Sequence, residues 1–159
     1  MFSFLKKDSK FLAPVDGKVI NLSEVPDPVF AEKMAGDGVA IDTTGNTIVA
    51  PCDGELSLIF QTNHAFAMTL KDGVELLVHI GIDTVSLNGE GFERLAEPGT
   101  NVKAGTPIIK IDREFITSKG ISLITPVLIT NVDSVKDITP AVGINVSAGV
   151  DAILTYKTK

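Results

Sequence analysis

The chain has 159 residues, enough for one domain whose core needs no metal or disulfide staples. Its formal charge of −6 argues against nucleic acid, which rewards basic surfaces, and favours a basic or mixed-charge protein partner. Hydrophobic residues make up 44%, but the long uncharged stretches are broken, as 120–132 is by Thr125, Pro126, Thr130 and Asn131, so no membrane insertion is expected.

Residues 1–10 are expected to form a short tail, and residues 11–159 a single domain. The tail mixes aromatics with lysines, which supports only weak contact with an anionic membrane surface. It lacks the apolar run of a secretory signal, so the cytoplasm is the expected location. Beyond it, turn signals recur at short intervals, among them Asp16-Gly17, Asp53-Gly54, Asp72-Gly73, Asn88-Gly89 and Pro98-Gly99. Between them lie runs rich in Val, Ile, Leu, Thr and Phe at 15–22, 54–60, 74–82 and 106–111. Short strands at such spacing predict an all-β fold, an antiparallel β-sandwich or partly closed barrel. One or two short helices are predicted, over 28–35 and over 112–123, the second opening on Asp112 as a cap. The stretch 126–159 returns to β-like alternation.

Ala13-Pro14-Val15-Asp16-Gly17 recurs as Ala50-Pro51-Cys52-Asp53-Gly54, each copy leading into a strand-like run. Two copies are too few for a repeat array but predict one turn-then-strand element used twice, in pseudo-symmetric halves. Cys52, the single cysteine, excludes an intrachain disulfide and a thiolate zinc cage and reads as a small buried residue.

Reactive groups are few. The two histidines, His64 and His79, sit in short apolar segments, and imidazole is the side chain suited to nucleophilic, proton-carrying or donor roles near neutral pH. Alternation along a strand over 75–83 puts His79 on an open face with Leu77, Gly81 and Asp83. Leu76, Val78, Ile80 and Ile82 then face the core. By the same logic Thr62, His64 and Phe66 share a face. On residues alone, two structural histidines satisfied by backbone hydrogen bonds remain an open alternative.

The segments Thr62-Asn63-His64-Ala65-Phe66, Gly73 to Val85 with its Val78-His79-Ile80-Gly81-Ile82-Asp83, and Gly89-Glu90-Gly91-Phe92 resemble the glucose-type IIA component of the bacterial sugar phosphotransferase system. Residues 25–41 and 50–54 are similar to that family as well, and the motifs occur in the family's order. The resemblance implies a phosphotransferase component, a histidine phosphocarrier. It would accept a phosphoryl group from phospho-HPr on His79 and pass it to a IIB component for sugar uptake, with no cofactor. It implies that His64 is the auxiliary histidine, that Thr62 orients its ring, and that the Gly81 carbonyl fixes the His79 tautomer. It further implies that Asp27 and Asp83 form an acidic rim, and that Val29, Phe30, Phe60, Leu77 and Val85 form an apolar docking ring.

Two other readings compete. The paired Ala-Pro-x-Asp-Gly elements faintly resemble lipoyl or biotinyl carrier domains, but the nearest lysine to the expected hairpin tip is Lys33, in a poor context. A zinc hydrolase would need a third ligand beside His64 and His79, and no His-x-His or His-Glu-x-x-His spacing exists. The histidine pair is expected to bind zinc only adventitiously, sharing it with a partner's carboxylate.

Overall fold

The computed structural model describes residues 8–159. The first half contains β1 (Ser9–Leu12), β2 (Gly17–Ile20), α1 (Pro28–Ala31), β3 (Asp37–Thr43), β4 (Thr47–Val49), β5 (Gly54–Ile59), β6 (Ala65–Thr69) and β7 (Glu75–His79). There follow β8 (Phe92–Arg94), β9 (Thr100–Val102), β10 (Pro107–Ile111), α2 (Arg113–Ser118), β11 (Thr125–Ile129), β12 (Val135–Pro140), β13 (Asn145–Val146) and β14 (Ala152–Thr158). Pairings are antiparallel. The largest sheet runs β13-β2-β3-β11-β7-β6-β5-β9, and two three-stranded sheets, β1-β14-β12 and β4-β10-β8, pack with it. The orders are open, so the sandwich is present without a closed barrel.

Three differences from the sequence-based boundaries have local causes. Ser9 and Lys10, assigned above to the tail, pair with Tyr156 and Thr155 through β1; residues 1–7, the segment expected to touch a membrane surface only weakly, lie outside the described residues. The helix over 28–35 stops after one turn because Lys33 enters the left-handed region at φ 60. The helix over 112–123 begins as predicted, Asp112 accepting from the Phe115 N–H, but ends at Ser118. There the Thr117 and Ser118 hydroxyls turn back onto helix carbonyls, and Gly120 adopts φ 74.

The two faces of the central sheet differ in what they bury. Val19, Val39, Ile41, Phe66, Met68, Leu76 and Val78 point inward against Ile48, Ile109, Phe11 and Tyr156 of the smaller sheets. On the opposite face Ala40 and Leu128 meet Leu22, Val25, Phe30 and Ile82, with Leu77 packed against them. This second cluster seats α1 over the sheet. Strand β11 is therefore buried along its whole length, and its sequence reads as an apolar run rather than an alternation. Pro126 lies opposite Ala40, yet beyond the β7 pairing, which starts at Val127, so its missing N–H costs no bond on that side.

The repeated Ala-Pro-x-Asp-Gly element is used twice in equivalent ways. Ala13 N–H donates to Asp151 O and Ala13 O accepts from Gly149, at 2.8 Å each; Ala50 pairs likewise with Thr106 (2.9 Å) and Gly105 (2.8 Å). Asp16 caps the Ala148 N–H at 2.7 Å, and Asp53 the Ala104 N–H at 2.8 Å. The receiving segments, Asn101-Val102-Lys103-Ala104-Gly105 and Asn145-Val146-Ser147-Ala148-Gly149, are themselves a second near-repeat. The two copies cross, Leu12 N–H donating to Pro51 O and Val49 N–H to Pro14 O.

Candidate functional site

Strand register brings the two histidines together. His79 closes β7 opposite Ala65, the first residue of β6, and the Ile80 N–H donates to His64 O at 2.7 Å. The imidazole centroids lie 5.0 Å apart with the ring planes at 78°. His79 is half-buried, whereas His64 is buried, 4% exposed. One ring thus meets solvent, and the other flanks it from below.

Past His79 the chain turns sharply. Gly81 has φ 80 and its carbonyl returns to accept from His79 Nδ1 at 2.8 Å. A Cβ there would come within 2.5 Å of Thr84 Cγ2 and 2.8 Å of Ser122 O, so only glycine fits both the conformation and the space. Buried Thr84 donates to Ile80 O at 2.6 Å, and the Ile82 N–H donates to Ser122 O at 3.0 Å. Because a carbonyl only accepts, Nδ1 of His79 carries the proton, and Nε2 of the neutral ring keeps its lone pair. The same turn corrects the alternation expected over 75–83. Leu76, Val78 and Ile80 do fill the main core, but Ile82 swings into the cluster beneath α1.

His64 precedes β6 in the hairpin turn from Phe60 to Ala65, closed by Phe60 N–H to Ala65 O at 2.9 Å and Asn63 N–H to Phe60 O at 2.7 Å. Asn63 is left-handed at φ 59. That breaks the strand alternation, so the shared face expected for Thr62, His64 and Phe66 does not form and Phe66 goes to the core. Thr62 and His64 do meet, Thr62 Oγ1 lying 2.5 Å from His64 Nδ1. Phe60 contacts the His64 ring edge-on at 5.4 Å, and Phe30 covers His79 at 5.0 Å.

Burial and the neighbouring His79 push the His64 pKa down to about 4. Burial lowers that of His79 as well, opposed by the Gly81 carbonyl and by the negative charges of Asp27 and Asp83. Both rings are neutral near pH 7. Asp27 caps α1 through the Val29 N–H at 3.0 Å, while Asp83, left-handed at φ 60, is exposed and makes no capping bond.

The expected apolar ring is only partly surface. Val29 is 43% exposed and Val85 53%, Phe60 and Leu77 are half-buried, and Phe30, 6% exposed, anchors α1 in the second cluster. Sequence reading missed Leu58. It is 50% exposed and lies opposite Ala67, which lies opposite Leu77, so it extends the face that carries His79. Nothing in the alternation of β5 marks it, because a bulge between Leu56 and Leu58 shifts the register.

Among the described residues no cluster of three or more His, Cys, Asp or Glu is placed to hold a metal ion. Lys33 follows α1 and pairs with Asp37 at 3.5 Å instead of sitting at a hairpin tip. Burial and the nearby Asp72 and Asp53 push the Cys52 thiol up to about 12, which leaves it protonated and unreactive. A cavity of about 820 Å³ beside α2 is lined by Lys110 and Arg113. Arg113 there is committed to Thr43 Oγ1 and Gly45 O, tying the helix to the end of β3 and the turn that follows it.

Residues 9–135 match the family described as phosphoenolpyruvate-dependent sugar phosphotransferase system, EIIA 1. The chain is 51% identical over 137 residues to the glucose-specific EIIA component of Borreliella burgdorferi, covering 85% of this chain and 72% of that one. It is 50% identical over 143 residues to the glucose-specific EIIBCA component of Corynebacterium glutamicum, covering 90% of this chain and 21% of that one. Its fold superimposes on glucose permease IIA from Mycoplasma capricolum with a TM-score of 0.89 at 40% identity, covering 96% of this chain and 97% of the other. With a histidine pair set in that fold and a match running through both histidine segments, the chain belongs to the EIIA 1 family of the phosphoenolpyruvate-dependent sugar phosphotransferase system.

Proposed function

We propose that His79 is the phosphoryl acceptor and His64 its auxiliary donor, in a cytoplasmic phosphocarrier that takes its charge from phospho-HPr and delivers it to a IIB component. One observation carries this reading: a half-buried imidazole with Nδ1 committed to a carbonyl and Nε2 free, its centroid 5.0 Å from a second neutral ring. In the transfer, the Nε2 lone pair of His79 forms a bond to phosphorus as the donor's N–P bond breaks. The departing imidazole keeps that electron pair. The Nδ1 proton stays on the ring and keeps donating to the Gly81 carbonyl, which stabilises the positive charge the ring takes up. Thr62 donates its hydroxyl to His64 Nδ1, leaving Nε2–H of that ring to bond an equatorial phosphoryl oxygen. A donor aimed at developing charge in a dry site contributes roughly 2.7–4 kcal/mol.

Asp27 and Asp83 serve a double role. They steer a partner's cationic surface toward the site and repel the dianionic phosphoryl group, so that the charged carrier remains ready to discharge. Val29, Val85 and Leu58, with Phe60 and Leu77 behind, offer a small apolar surface suited to brief encounters of less than about 1,200 Å². The Corynebacterium relative, whose name joins B, C and A components in one chain, supports a IIB partner. Residues 9–159 act as one unit in this scheme.

Incubation with phosphoenolpyruvate and the general phosphotransferase proteins, followed by mapping of the modified residue, tests the reading. Modification at His79 is expected; stable labelling at another residue, or none, overturns it.

A further inference from the structure

The turn that carries His64 is held from outside its own hairpin. Arg94 ends β8, in the β4-β10-β8 sheet, where its backbone is fixed opposite Ile109 and the following Leu95 N–H donates to Ile108 O at 2.8 Å. Its half-buried side chain reaches across to the largest sheet. Nε and Nη2 donate at 3.1 and 2.9 Å to one atom, Asn63 Oδ1. Asn63 is the left-handed residue between Thr62 and His64. Asparagine tolerates that conformation better than most residues, but its side chain needs a partner once half-buried. The guanidinium supplies it with two N–H groups that fix the amide plane, where a lysine would supply one freely rotating donor.

Two anchors therefore set where the His64 ring stands. The backbone bond from Ile80 ties the turn to the strand of the acceptor histidine. The Arg94–Asn63 bond ties it to a separate sheet. Thr62, the only side chain among the described residues that hydrogen-bonds the His64 ring, lies directly before Asn63, so rotation about this residue would move both partners together.

We propose that Arg94 is a positioning residue for phosphoryl transfer, holding the Thr62–His64 donor unit at its working angle to His79 through Asn63. This rests on the roles given above to His79 and His64. Arg94 touches neither the phosphoryl group nor the partner in this scheme; its effect passes through one amide.

The test uses the full chain with phosphorylated donor carrier, in Arg94→Gln, Arg94→Lys, Asn63→Gly and the Arg94→Gln/Asn63→Gly double variant. Glycine is chosen because it keeps the left-handed turn while removing the acceptor. Loss of ring alignment of this kind is expected to slow turnover about tenfold in Arg94→Gln and in Asn63→Gly alike, with KM for the donor carrier unchanged. The double variant should be no slower than the worse single one, and Arg94→Lys should recover part of the rate. The imidazole ¹⁵N resonances of His64 should move in the uncharged protein while those of His79 hold. If Arg94→Gln melts at the assay temperature, Arg94→Lys and Asn63→Gly carry the comparison alone. A rise in KM with turnover intact would make Arg94 a docking residue and overturn the inference, as would losses that multiply in the double variant. The unmodified chain is the control: if it fails to label at His79 the underlying roles fail, whereas normal labelling with unaffected variants sinks only the role of Arg94.

Discussion

The two histidine segments are neighbours in one sheet, yet they are built on opposite terms. His79 ends a regular strand, stands half-exposed under Phe30, and is surrounded by acceptors and negative charge: the Gly81 carbonyl, Asp27 and Asp83. His64 precedes its strand, is buried, and has a hydroxyl beside it with no carboxylate among the causes of its lowered pKa. An environment of acceptors leaves one ring nitrogen a nucleophile. A dry environment with an adaptable hydroxyl suits the other ring to donating. In the proposed scheme the same side chain thus serves two purposes, separated by what each Nδ1 faces.

The sharpest way to break that contrast is to remove the exposed ring. His79→Ala should abolish acceptance of phosphoryl groups, read by radiolabel or native mass shift, while His64 remains in place. If His64 took up the label instead, the distinction between nucleophile and donor would be lost. Next in size is His64→Gln, which keeps His79 and supplies a differently placed amide. Onward transfer should slow by roughly 10²–10³-fold, the cost of losing a donor to a charged transition state. Equal rates for variant and parent would deny His64 any part in the chemistry.

How much of this was readable from the chain depends on where regular alternation persists. The strand at β7 keeps its period through His79, so its open face and the core positions Leu76, Val78 and Ile80 were legible. The reading failed two residues later, where Gly81 redirects Ile82 to the other cluster. It failed at Asn63 for the same reason: a positive φ reverses which side the next residue occupies, and asparagine does not announce one. The exposure of Val29 against the burial of Phe30 is a matter of which side of a single helical turn meets the sheet. Arg94 reaching Asn63 joins two sheets, and no local pattern encodes such a contact. The repeat at 13–17 and 50–54 was visible, but its crossed hydrogen bonding appears only in three dimensions.

Thr62 sharpens the comparison at a smaller scale. Thr62→Val is nearly isosteric and removes the hydroxyl from His64 Nδ1. The ring is then free to place its proton on either nitrogen, and transfer should slow roughly tenfold, in line with the loss of one hydrogen bond of about 1.4 kcal/mol. A shift in the His64 ¹⁵N resonances should accompany it. A full rate with unmoved resonances would mean that burial alone sets the tautomer.

Acid should also separate the two segments. An unfolded histidine titrates at about 6.5, whereas folded His64 is held down to about 4. Between those values the unfolded chain binds a proton that the folded chain refuses. The contribution of His64 to stability is therefore complete above about pH 6.5 and declines as pH falls toward about 4, at up to about 1.4 kcal/mol per unit. His79, lowered in the same direction, adds to the loss. Urea midpoints measured from pH 7 down to 4.5 should fall less steeply in His64→Gln than in the parent; parallel curves would contradict the lowered pKa.

The smallest expected effect concerns the charges around His79. Asp27→Asn keeps an oxygen to cap α1, and Asp83→Asn keeps a residue that tolerates the left-handed conformation, so both variants preserve the local fold. Each removes a negative charge that stabilises the protonated ring of His79, and each takes one from the rim that would meet a basic partner. Rim charges of this kind, Asp83 exposed and Asp27 half-buried, contribute little to affinity and more to the encounter rate, so the double variant should associate with its donor about two- to fivefold more slowly at low salt. At high ionic strength the difference should vanish, because screening already does to the parent what the substitutions do to the variant. If the gap survives in high salt, the two carboxylates act by direct contact with the partner, and the rim is a binding element instead of a steering one.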